Sequence, residues 1–204
     1  LLSNCDSMWP GALPTAELDS AEGFCIPFEQ NWTNHQDARA WARQTLTDRP
    51  SLAVDGSQIT PSTDLATPVG AVQIGWFINS HNTAGDYIKD LDFEVFLPQD
   101  LMDGGGSGQE LDYANRRVNQ ERFVRECEKL CYLIAQFQHE PDEKKPLCYF
   151  DGSFIISFAG QLKPDLAAPY LRAIIDLLDC SKRYRVHIVG FVDNPHSRDI
   201  AKLM

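Results

Sequence analysis

The chain has 204 residues, 43% of them hydrophobic and 23% charged, with a net charge of −11. That balance excludes a fully disordered chain and allows one sizeable core with a small appendage. The acidic excess counts against a broad basic binding surface, although basic residues need line only one groove to hold phosphate. The six cysteines, Cys5, Cys25, Cys127, Cys131, Cys148 and Cys180, form no Cys-x-x-Cys pair. They are read as small buried residues in a reducing, cytoplasmic compartment rather than as a zinc site. No apolar run approaches membrane-spanning length and no signal peptide is visible, so no membrane partner is expected.

Residues 1–31 are irregular, with Pro10, Gly11, Pro14, Gly23 and Pro27. They read as an arm laid over a core. Thr33 and Gln36 have the spacing of a capping box, and Ala38, Trp41, Ala42 and Leu46 predict an apolar helix face ending by Pro50. Residues 1–50 are therefore taken as an N-terminal arm and helix, and 51–204 as the core.

Leu52 and Val54 alternate with Ala53 and Asp55, which predicts a strand delivering Asp55 into a Gly56-Ser57 turn. Residues 71–78 and 87–97 predict two more strands, the second alternating Asp90, Asp92 and Glu94 with Leu91, Phe93 and Val95. The glycines at 104–106 and 108 lack the lysine of a phosphate loop and read as a tip. A long helix is predicted over 110–138, with Phe123, Cys127, Leu130, Ile134 and Phe137 as its apolar stripe. A strand over 147–158 carries a second Asp-Gly-Ser, at Asp151, Gly152 and Ser153. A helix over 164–178, a strand over 185–191 and a further helix from Arg198 complete the chain, which stops inside that helix and reads as a fragment of a longer protein. Three strands in a row and then alternating helix and strand follow the order of an α/β, ribonuclease H-like mixed sheet. In that fold, three antiparallel strands precede parallel crossovers. The spatial strand order does not follow from the pattern.

Asp55 and Asp151 each end an apolar segment, where a carboxylate is costly unless paired or metal-bound. The bland alternative is a turn aspartate in each case, since Asp-Gly is a common turn pair. Converging carboxylates suit a hard divalent ion that assists phosphodiester hydrolysis. Glu126 borders the buried stripe of the long helix and is the expected third carboxylate, with Glu121 and Glu128 pointing more toward solvent. Arg116, Arg117, Arg122, Arg125 and Lys129 stud the same helix, either following a phosphate backbone or solvated among the glutamates. Ser57 and Ser153 are positioned to donate to a phosphate or to cap their own turns. His187 reads as an ordinary strand residue, and Asp193 as an accessory ligand at most.

LAVDGSQI, Arg122-x-x-x-Glu126, YFDGSFI and VGFVDNPHSRDIAKL occur in this order over residues 51–204. Together they resemble the NurA nuclease domain. The resemblance implies a ribonuclease H-like core and a manganese- or magnesium-dependent nuclease. Such nucleases act on single-stranded DNA and on duplex ends, as endonuclease and 5′–3′ exonuclease, in double-strand break resection. It further implies a homodimer working with a HerA-type hexameric ATPase. Carried onto this chain, it makes Asp55, Glu126 and Asp151 the catalytic and metal-binding residues, with Arg122, Arg198, Ser57 and Ser153 as possible substrate contacts. The family's further aspartate and histidine lie beyond the segment matched by VDNPHSR, and His196 does not fill that role. The competing expectation is a catalytically inactive NurA-like assembly module that docks a translocase or a second copy. An actin-like or sugar-kinase-like fold, which also carries Asp-Gly turns, would need a longer chain.

Overall fold

The computed structural model describes residues 27–193 except 63, 65, 66, 68 and 102–109. Two compact units divide the chain, one of 1–42 and 193–204 and the other of 43–192. In the first, Phe28, Trp32 and Trp41 pack as an aromatic trio with ring centroids 5.2–5.7 Å apart. Helix α1 (His35–Leu46) starts there, and none of its residues is buried. Its cap is Asn34 rather than the expected Thr33: the Asn34 Oδ1 accepts the N–H groups of Gln36 and Asp37 at 2.8 and 3.0 Å. The Thr33 hydroxyl donates to the Asp37 carboxylate instead. Asn34 sits one residue closer to the orphan donors of the first turn.

The second unit is one mixed sheet with helices on one face. Its strands are β1 (Ser51–Ile59), β2 (Gly70–Asn79), β3 (Tyr87–Phe96), β4 (Leu147–Asp151) and β5 (Ile188–Phe191), in the order β3-β2-β1-β4-β5. β1–β2 and β2–β3 pair antiparallel, and β1–β4 and β4–β5 pair parallel. This is the ribonuclease H-like sheet that the element order predicted, with the spatial order now supplied. The helices are the short α2 (Pro98–Leu101), the long α3 (Glu110–Gln136) and α4 (Pro164–Tyr184). Leu52, Val54, Val72, Ile74 and Ile78 from the strands meet Val118, Leu130 and Ile134 of α3 and Ala173, Ile174 and Leu177 of α4 in the core. Packing of these apolar stripes, more than helix propensity, holds α3 and α4 in place.

Three boundaries beyond α3 differ from the sequence expectation. β4 ends at Asp151, not at Phe158, because Gly152 turns the chain at φ +134° and the Ser153 Oγ accepts the Ile155 N–H at 3.0 Å. α4 runs on to Tyr184 and closes on Arg185 in the left-handed region, with the Val186 N–H donating to the Ser181 carbonyl. That closure takes up residues 185–187, so β5 starts only at Ile188.

β3 shows its acids to the helix and most of its apolar residues to the open face, with Phe96 turned into the core. Asp92 and Glu94 pair with Lys129 and Arg125 of α3. The Lys129 Nζ also lies 4.1 Å from the Trp76 ring centroid. Tyr87, Leu91, Phe93 and Val95 stand exposed on the opposite face, beside exposed Phe77 of β2. The same face carries exposed Ile59 at one end of β1 and Val189 and Phe191 of β5. Lys129→Ala removes an ion pair that is largely solvent-facing on the Asp92 side together with a cation–π contact. A loss of about 1 kcal/mol is expected in a urea titration, with Lys129→Arg close to the unaltered chain.

Candidate active site

The parallel register of β1 and β4 brings the two Asp-Gly-Ser segments together. Val54 pairs with Phe150. The next residue on each strand is an aspartate, so Asp55 and Asp151 sit on neighbouring strands about 5 Å apart. Alternation settles their surroundings. Leu52, Val54, Cys148 and Phe150 are buried under the helices, whereas Asp55 and Asp151 are exposed at the edge of that core.

Glu126 reaches the same end of the sheet from α3. It is only 6% exposed, and one of two charged or polar residues buried among those described. Its approach explains Gly56. The sequence suggested a turn there, but β1 continues through Gly56, paired with Ile74, to Ile59. What the position requires is an absent side chain. A Cβ on Gly56 would lie 2.4 Å from the Glu126 Oε1 and 2.8 Å from the Arg122 Cγ. The two Asp-Gly-Ser copies thus use glycine for different reasons, close approach at Gly56 and positive φ at Gly152. Gly56→Ala is expected to cost about 2 kcal/mol by forcing the helix or the carboxylate outward. Gly75→Ala, whose nearest neighbour would be the Asp55 carbonyl at 3.8 Å, is expected to be nearly neutral in the same denaturation series.

The electrostatics single out Glu126. Burial pushes its carboxyl up to about 7. The Arg122 guanidinium opposes that rise, the Asp55 charge adds to it, the Gly56 backbone N–H opposes it and Asp151 adds a further increment. The three carboxylates are therefore within one another's field. The Arg122 Nη1 donates to the Glu126 Oε1 at 2.8 Å and to the Gly56 carbonyl at 3.2 Å, and its Nε is buried without a partner. Arg122 thus occupies one of the two Glu126 oxygens. Among the described residues, no three His, Cys, Asp or Glu side chains stand close enough to hold a metal ion as they are. The donors are hard oxygens of the right kind for magnesium or manganese, and a divalent cation would relieve their mutual repulsion.

The remaining candidates fall in different places. Ser57 lies on β1 and Ser153 in the turn after β4, where it bonds its own backbone. Arg198 and His196 lie outside the described residues. Arg117 and Arg125 both bond Glu121, whose side chain is 18% exposed, so Glu121 is not the solvent-facing residue that its helix position suggested. Glu128 is exposed. The sequence reading missed Gln120, buried at 8% exposure, whose Nε2 donates to the Leu166 carbonyl and ties α3 to α4. It also missed the aromatic set Phe123, Phe150, Phe158 and Tyr170 beneath Asp151. A polar residue inside an apolar stripe was the available signal for Gln120. The aromatic set joins four separate segments of the chain and had none. Burial raises the Cys127 and Cys148 thiols to about 12, which makes them packing groups.

Among solved structures, the chain is similar to LC11-RNase H1, isolated from compost by a metagenomic approach. Identity is 12% over 76% of this chain and 92% of that one, with a TM-score of 0.37. It is also similar to RNase H1 from the halophilic archaeon Halobacterium salinarum, at 12% identity over 71% and 86% of the two chains and a TM-score of 0.35. No curated protein matches by sequence. Residues 50–204, three quarters of the chain, match the family model described as the NurA domain. With its two aspartates on adjoining parallel strands and a buried glutamate beside them, the chain belongs to the NurA family of nuclease domains.

Proposed function

We propose that this chain is a divalent-metal-dependent deoxyribonuclease. It hydrolyses DNA phosphodiesters in single strands and at duplex ends, with endonuclease and 5′–3′ exonuclease activity in the resection of double-strand breaks. The observation that carries this reading is the convergence of Asp55, Asp151 and Glu126 at one end of the sheet. Family membership supports it.

In this reading Asp55 and Asp151 hold the ion from the exposed side and Glu126 from the helix side. A bound manganese or magnesium ion supplies an activated water and neutralises charge on the phosphoryl oxygens. The protein's own part is positional. Gly56 lets α3 close on β1, and the Glu126 carboxylate is steadied by Arg122 until an ion competes for it. The exposed aspartates leave the approach open to a strand. A HerA-type hexameric ATPase and a second copy of the chain are the proposed partners.

A second reading, the inactive assembly module, is favoured by one observation. The open sheet face carries Phe77, Tyr87, Leu91, Phe93 and Val95, each 40–64% exposed. Contiguous apolar surface of this kind marks protein contacts. The test is degradation of end-labelled single-stranded DNA in manganese, magnesium or EDTA. Metal-dependent cleavage supports the nuclease. A folded chain that cleaves nothing, with a translocase supplied, favours the assembly module.

A further inference from the structure

We propose that the cavity between the N-terminal halves of α3 and α4 is a second binding station for a single nucleic-acid strand, one that grips phosphate and stacks a base away from the carboxylates. The proposal rests on the nuclease reading and extends it to a surface that the family motifs do not touch.

The cavity has a volume of about 650 Å³. Its lining includes Arg116 of α3 and Lys163 just before α4, both exposed, and neither forms an ion pair among the described residues. Arg117 also lines it but is committed, at 2.7 Å to Glu121 and 2.9 Å to Gln120. Among the described residues, Asp165 is the one acid on the rim. Two uncommitted cations against one acid leave this groove cationic on a chain whose net charge is −11.

Its apolar lining includes Leu162, Leu166 and Phe158, the last of them 44% exposed. The Phe158 ring is fixed from behind, edge-on to Tyr170 at 5.1 Å and to Phe123 at 6.5 Å. A preoriented exposed ring beside cations has the makeup of a single-strand station, where bases stack without regard to sequence. Phe123 in turn meets Phe150 at 6.0 Å, and Phe150 precedes Asp151. These buried contacts anchor the Phe158 ring to the core beneath β4. Along α3, Gln120 and Arg116 lie six and ten residues before Glu126. That is about 9 and 15 Å, within reach of the same extended strand. The bond from Gln120 to the Leu166 carbonyl holds the two helices at their separation.

The test is fluorescence anisotropy of a labelled single-stranded deoxyoligonucleotide with the full chain in EDTA, across a potassium chloride series. The Arg116→Glu/Lys163→Glu variant is expected to bind about tenfold more weakly at low salt. Its slope of log affinity against log salt should be shallower by about 1.4, as two lost phosphate contacts require. Phe158→Leu, which keeps the packing, is expected to weaken binding about fivefold with the slope unchanged. Lys182→Glu/Arg183→Glu, an equal change of charge far along α4, should move neither. Manganese-dependent cleavage of the same strand by the unaltered chain reports separately on the nuclease reading. Cleavage with wild-type affinity and slope in the Arg116→Glu/Lys163→Glu variant overturns the station alone. A chain that neither binds nor cleaves the strand overturns both.

Discussion

Asp55→Asn and Asp151→Asn are each expected to lower manganese-dependent cleavage of single-stranded DNA by at least about 10³-fold, with the fold intact. Residues that hold one metal act as a unit, so losing either removes most of the rate. Asparagine keeps the shape and one acceptor oxygen but not the charge. Both aspartates are exposed, so neither substitution leaves a buried group without a partner. Stability is expected to hold or to rise slightly, because each aspartate repels Glu126. Asp86→Asn, in the turn where Asp86 accepts from the Asn82 side chain, is the control and should cleave normally. Retention of more than a tenth of the activity by either site variant would remove that aspartate from the centre.

Glu126 is expected to make the metal-free chain less stable as pH rises. Its folded carboxyl titrates at about 7 against 4.5 for the reference group. Between those values the folded state holds a proton that the unfolded chain has released. The stabilisation is complete below about pH 4.5 and is lost as pH rises through 7, amounting to on the order of 3 kcal/mol. Urea midpoints for the unaltered chain and for Glu126→Gln, at pH 5 and pH 8 in EDTA, isolate the effect, since the other groups titrate alike in both. The unaltered chain should lose ground to the variant between the two pH values. Parallel pH dependence would mean that Glu126 is ionised throughout. The strain has a functional meaning in the proposed account: the carboxylate is destabilised by its neighbours until a cation joins them.

Much of the fold was legible because β1, β2 and α3 obey strong periodicities. Leu52 and Val54, the even residues of β2, and the stripe through Cys127, Leu130 and Ile134 all lie where two- and 3.6-residue spacing puts them. Glu126, the glutamate that borders the stripe, is buried for the same reason. The limits are physical as well. A period of two says that β3 has two faces but not which is inside. Its acids turn inward because Arg125 and Lys129 wait on α3, a contact between distant segments. The β1–β4 neighbourhood was suggested by element order, but its register, which aligns Asp55 with Asp151, comes from the sheet. Asp-Gly reads equally as a turn or as close packing, and only the presence of Glu126 beside Gly56 separates them. Arg122 was read as a possible phosphate contact, and its pairing with Glu126 was not legible from its place beside other cations.

The most direct test of the account is manganese binding itself, read from the loss of the free-ion electron paramagnetic resonance signal as the protein is added at neutral pH. The account predicts saturable binding by the unaltered chain, strongly weakened in Asp55→Asn, Asp151→Asn and Glu126→Gln alike. Equal binding by the unaltered chain and all three variants would contradict it, because the three carboxylates would then not form the metal centre.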